Sequence, residues 1–119
     1  MILANVQGSG IPALATLQMC DVPVALTAAG TSQGAATLVT SSCHLVTTAG
    51  SQTGVILPSA ALSDVGDEYK LFCDSATTMI VYPAGSETLQ AAASVNVAQN
   101  KMIWLKRLSA TKWAYIISA

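Results

Sequence analysis

Residues 101–118 read Lys-Met-Ile-Trp-Leu-Lys-Arg-Leu-Ser-Ala-Thr-Lys-Trp-Ala-Tyr-Ile-Ile-Ser. Two apolar runs, 101–108 and 112–118, flank the turn-forming Ser109-Ala110-Thr111. In the first run Met102 and Trp104 share one face, and Ile103 and Leu105 the other. In the second run Trp113, Tyr115 and Ile117 alternate with Ala114 and Ile116. This period-2 pattern predicts a terminal β-hairpin. Both faces are apolar, so the strands are expected to be central in a sheet or covered in an oligomer.

The same reading extends upstream. Runs 36–40 and 43–47 are rich in Thr, Val and Leu, and Val55-Ile56-Leu57 ends at Pro58. Run 69–73, the turn Asp74-Ser75-Ala76-Thr77 and run 78–82 predict a second hairpin. Pro83-Ala84-Gly85-Ser86 forms another turn, and 89–97 alternates weakly. No stretch of helical length shows a 3.6-residue apolar period with charge opposite. Turn signals recur about every 8–14 residues, the spacing of sandwiches and barrels. The expected fold is all-β: a small antiparallel β-sandwich or jelly-roll-like barrel, with an extended N-terminal arm. Residues 1–30 are expected to be that arm or edge strands, since Pro12 and Pro23 suit only irregular or edge backbone. Residues 31–119 are expected to be the sandwich domain.

Composition narrows the function. The chain has 119 residues, the length of one domain able to bury its own core. Only 9% of residues are charged, against roughly 25% in average soluble proteins. The net charge is -1. Such a surface repels its own copies weakly and is suited to being covered by them or by a partner. Lys101, Lys106, Arg107 and Lys112 are balanced by acids over the whole chain, which argues against nucleic acid. Between Val22 and Ser63 no charge occurs, but Thr, Ser, Gly and Gln interrupt the stretch, so no membrane helix is expected. Residues 1–18 lack the basic start of a signal peptide.

Candidate chemistry is sparse. Cys20, Cys43 and Cys73 show no metal-ligand spacing and read as free, buried thiols. His44 is the lone histidine, and as a strand neighbour of Cys43 it points to the opposite face. A Cys–His nucleophile is therefore not expected. Asp64, Asp67 and Glu68 lie in one expected loop without calcium-loop spacing, and read as turn-capping groups. Trp104 and Trp113 read as core; sugar binding by an exposed Trp is the alternative, lacking evident polar planar neighbours. No enzyme, cofactor or metal is expected.

Several motifs occur in order: Gly54-Val55-Ile56-Leu57-Pro58, Gly66 with Tyr69-Lys70-Leu71-Phe72, Ile80-Val81-Tyr82-Pro83, Gly85 with Thr88-Leu89, and Trp113-Ala114-Tyr115-Ile116-Ile117. Over residues 34–118 this layout resembles a β-rich module of tailed-bacteriophage virion proteins. That module shows a G-V-x-L-P strand, a Gly-led hairpin, a V-x-P-x-x-G-x-x-I turn and a closing strand that starts at a Trp. Here Leu89 stands for the usual Ile, and Cys73-Asp74 where Asn is frequent. The resemblance implies a capsid decoration or cement protein, or the tip of a fibre. The absence of a heptad or repeat shaft favours decoration. The expected function is then non-enzymatic: made in the bacterial host cytoplasm, the protein binds and stabilises the capsid exterior of the virion. Its expected partners are the major capsid protein and itself, as a homotrimer in preference to a homodimer. The expected interface residues are Met1, Ile2, Leu3, Ile103 and Leu105. The alternatives are a head- or tail-fibre tip module that binds a host-surface receptor or glycan, and a thiol hydrolase using Cys43 or Cys73.

Overall fold

The computed structural model describes residues 22–119. Ten strands form, and no α-helix occurs among the described residues. They are β1 (Val24–Ala28), β2 (Thr37–Leu38), β3 (Cys43–Thr48), β4 (Gly54–Ile56), β5 (Glu68–Cys73), β6 (Met79–Tyr82), β7 (Thr88–Leu89), β8 (Val95–Val97), β9 (Met102–Arg107) and β10 (Lys112–Ile117). Their content explains the state: Val, Ile, Thr and aromatic residues fill them, while Gly, Ser and Pro collect between them. The all-β expectation agrees with this.

The arrangement differs from an antiparallel sandwich or jelly roll. The chain alternates between two sheets, so β1, β3 and β5 stack parallel in one and β2, β4 and β6 stack parallel in the other. Each passage through both sheets is one coil of a short solenoid. Register shows the repeat directly: Leu26-Thr27-Ala28 pairs with Val46-Thr47-Thr48, and each segment runs on into Ala-Gly. After β6 the coil ends. The remaining strands close the two sheets, partly by antiparallel pairing: β8 lies beside β6, and β9 beside β5. The final orders are β1-β3-β5-β9-β10-β7 and β2-β4-β6-β8.

Two expected hairpins fare differently. The β9–β10 hairpin forms, with Trp113 opposite Arg107 and Ile116 opposite Trp104. The expected hairpin of 69–73 with 78–82 does not, because β5 and β6 belong to different sheets. Asp74–Thr77 is instead a corner of the coil. A period of two assigns residues to faces, but is the same for a hairpin arm and a coil strand. Residues 24–28, within the segment read as arm or edge strand, form β1 at the edge of the six-stranded sheet. The arm reading of residues 1–21 lies outside the described residues.

The core lies between the sheets. Val46, Leu71, Cys73, Ile103, Leu105 and Trp113 come from the larger sheet, and Val55, Met79, Val81, Val95 and Val97 from the smaller. Fully burying one such aliphatic side chain contributes roughly 1.5–3 kcal/mol. Close approach selects glycine at two positions. Gly30 adopts φ +75°, where a Cβ would meet the Ala35 carbonyl. At Gly54 a Cβ would sit 2.5 Å from the Tyr82 ring.

Candidate functional site

Strand alternation decides what each sheet presents to solvent. On β9, Ile103, Leu105 and Arg107 point inward and are buried. Ile103 and Leu105 are therefore core residues rather than the interface expected of them, because that parity faces the second sheet. The outward positions are Met102, Trp104 and Lys106. Met1, Ile2 and Leu3 lie outside the described residues.

Register aligns these outward positions in rows across the larger sheet. Leu45, Phe72 and Met102 form an apolar row. Lys70, Trp104 and Ile116 form the next. Glu68, Lys106 and Ala114 form a third, charged at one end. Trp104 is 44% exposed and Ile116 67%. Trp104 is nonetheless held in place: its Nε1 donates to Glu68 Oε1 at 3.0 Å, and Lys70 Nζ sits 4.9 Å from its ring centroid. Lys106 Nζ lies 3.9 Å from Glu68 Oε2.

Between the second and third rows runs a trough of about 350 Å³, lined by Glu68, Trp104, Lys106, Ala114, Tyr115 and Ile116. The small Ala114 beside larger neighbours leaves the depth. A polar hollow of about 250 Å³ shares Glu68 with it and is lined by Thr40, Ser41, Ser42, Asp67 and Tyr69 as well. Glu68 opens β5 rather than sitting in the acidic loop expected of it. Asp64 and Asp67 do form a turn, in which Asp67 Oδ2 accepts from the Asp64 amide at 2.8 Å. Among the described residues no group of three His, Cys, Asp or Glu is placed to hold a metal ion.

His44 supports the edge of the hollow. Its Nε2 accepts from the amides of Thr40 and Ser41 at 3.1 and 3.0 Å. That arrangement puts the ring proton on Nδ1, which donates to the Val24 carbonyl at 2.9 Å. Cys43 and His44 point to opposite faces, as alternation requires. Cys73 is a buried thiol whose Sγ donates to the Thr77 carbonyl, and Cys20 lies outside the described residues.

Behind this face sits an ionic cluster that sequence reading missed. Arg107 is 1% exposed. Its Nε donates to Ser63 Oγ at 2.8 Å, Nη1 to the Ser109 and Ala110 carbonyls, and Nη2 to the Pro58 carbonyl and Glu87 Oε1. All three nitrogens are thus engaged, as a buried guanidinium requires. Its parity with Ile103 and Leu105 was the available signal for burial; three of its five partners, Pro58, Ser63 and Glu87, come from distant loops that periodicity does not connect. Tyr69 packs on Trp113 at 5.7 Å between ring centroids. Burial pushes the Tyr69 phenol above its usual pKa of 10.0, aided by Asp67 and Asp64 and opposed by Arg107.

Comparison of the chain with protein-family models, with curated proteins and with solved structures gives no match in any of the three. No helix among the described residues is long and apolar enough to cross a membrane.

Proposed function

We propose that this protein is a non-enzymatic structural component of a bacteriophage virion, which binds and stabilises the capsid exterior as a homo-oligomer. The observation that carries the reading is the outward Leu45–Phe72–Met102 row on the larger sheet. The motif resemblance over residues 34–118 supports the virion context. Burying such a row against a coat subunit or a second copy removes apolar surface from water at roughly 25 cal/mol per Å². A stable contact needs about 1,200 Å² or more in total. Repetition over many capsid sites then adds weak contacts into a firm shell.

The test begins with solution mass by light scattering, followed by co-sedimentation with DNA-emptied capsids that lack the protein. A defined dimer or trimer that co-sediments is the expected result. Leu45→Asp, placed on the exposed side of β3, should abolish co-sedimentation while leaving the fold intact. A monomer that stays in the supernatant overturns the reading.

A further inference from the structure

The trough at Trp104 and the adjoining hollow hold a combination that the apolar row lacks. At one end is an indole platform, fixed by its bond to Glu68 and by the Lys70 ammonium over its ring. In the middle stands the Glu68 carboxylate, common to both depressions. At the other end Thr40, Ser41, Ser42 and Asp67 supply hydroxyl and carboxylate groups. Charges of both signs are present, with Asp67 and Glu68 set against Lys70 and Lys106, so the trough suits a neutral ligand. A planar apolar platform beside acceptors and donors at successive positions matches a pyranose chain. Its C–H faces stack on indole and its hydroxyls bond in the plane of the ring. The two volumes, about 350 and 250 Å³, fall in the range of ligand sites when joined.

We propose that these two adjoining depressions, which share Glu68 and extend from Ser41 to Trp104, together form a binding groove for a neutral oligosaccharide. Trp104 stacks on one sugar ring. Glu68 accepts from its hydroxyls, and Asp67 with the 40–42 loop takes the next ring. His44 is a positioning residue, because it holds the amides of Thr40 and Ser41 in place. The proposal does not depend on the capsid partner: Leu45, Phe72 and Met102 lie outside the lining of both depressions.

The two tryptophans make the experiment direct. Trp113 is buried and Trp104 is exposed, so ligand-induced change in tryptophan emission reports Trp104. The intact protein is titrated with maltohexaose, cellohexaose and chitohexaose. At least one should shift the emission to shorter wavelength with a Kd of about 1 mM or tighter. By calorimetry, Trp104→Ala and Glu68→Gln should each weaken that binding about tenfold or more, and Trp104→Phe should retain part of it. Leu45→Asp, which tests the capsid reading, should bind sugar normally. Absence of an emission change with all three sugars overturns the proposal. So does light scattering that shows a wild-type dimer made monomeric by Trp104→Ala, since a second copy then covers the groove.

Discussion

The Arg107 guanidinium carbon lies 4.5 Å from the centroid of the Trp113 ring, and both side chains donate to the same oxygen, Glu87 Oε1. Arg107 sits on β9 and Trp113 opposite it on β10, so the hairpin register creates the stack. Glu87 joins from the turn before β7, and its other oxygen accepts from the Ala60 amide at 3.2 Å. One ion pair thereby ties two loops and a hairpin to the end of the coil. Its geometry meets the two conditions for a favourable buried pair: good alignment and satisfaction of the remaining donors.

Removing Arg107 should cost more than an ordinary core truncation. Arg107→Met leaves the half-buried Glu87 without its cation and orphans the Pro58, Ser109 and Ala110 carbonyls. A loss of about 3–5 kcal/mol is expected in urea unfolding. Arg107→Lys should recover little of it, because one ammonium cannot replace five donors in a plane. Recovery to within about 1 kcal/mol of wild type would contradict the account.

His44→Ala should act locally. It leaves the Thr40 and Ser41 amides without their acceptor, at roughly 1–3 kcal/mol. Amide hydrogen exchange should speed up at residues 40 and 41 before the β9–β10 hairpin is affected. Uniform acceleration over all strands would instead indicate a global role for the ring.

Gly54→Ala should be destabilising through Tyr82. The added methyl meets the Tyr82 ring, whose hydroxyl donates to the Thr31 carbonyl at 3.3 Å. Swinging the ring away costs that bond and its packing, about 1–3 kcal/mol. Gly66→Ala has open space around it but a φ of +96°, so its cost is backbone strain alone, on the order of 1–3 kcal/mol. Adding Tyr82→Ala should relieve most of the first defect, leaving only the 3.1 Å approach to the Ile80 carbonyl, and leave the second unchanged, a contrast that thermal unfolding of the double mutants can read.

Tyr69 should make stability fall in alkali. Its phenol is held above the usual value of 10.0, chiefly by burial. Above pH 10.0 the unfolded chain loses this proton while the folded chain keeps it, so stability present at neutral pH declines as pH rises through the folded pKa. Tyr69→Phe should flatten the stability profile between pH 9 and 12, measured as urea midpoints. An unchanged slope would remove Tyr69 as a source of the alkaline loss.

The sequence by itself determined that the chain is β-structured, where most strands lie, and which residues of a strand share a face; which face is wet it did not give, since Ile103 and Leu105, read as interface, are buried and Trp104, read as core, is exposed. Ile103, Leu105 and Trp113 were assigned to faces by parity alone, and the terminal hairpin by its three-residue turn. Side-chain alternation along a strand is local, so it is legible in one dimension. Only the tertiary structure decided that the upstream strands coil in parallel. It also placed Glu68 against Trp104, 36 positions away, and joined Glu87 to Arg107 across 20. The reason is that a period of two names a face but not the neighbour that will share it. The neighbour is chosen by how corners such as Gly30 and residues 74–77 direct the chain from one sheet to the other. Trp104 was visible in the sequence as an aromatic residue; the carboxylate, the ammonium groups and the loop that turn it into a groove were brought to it by the coil.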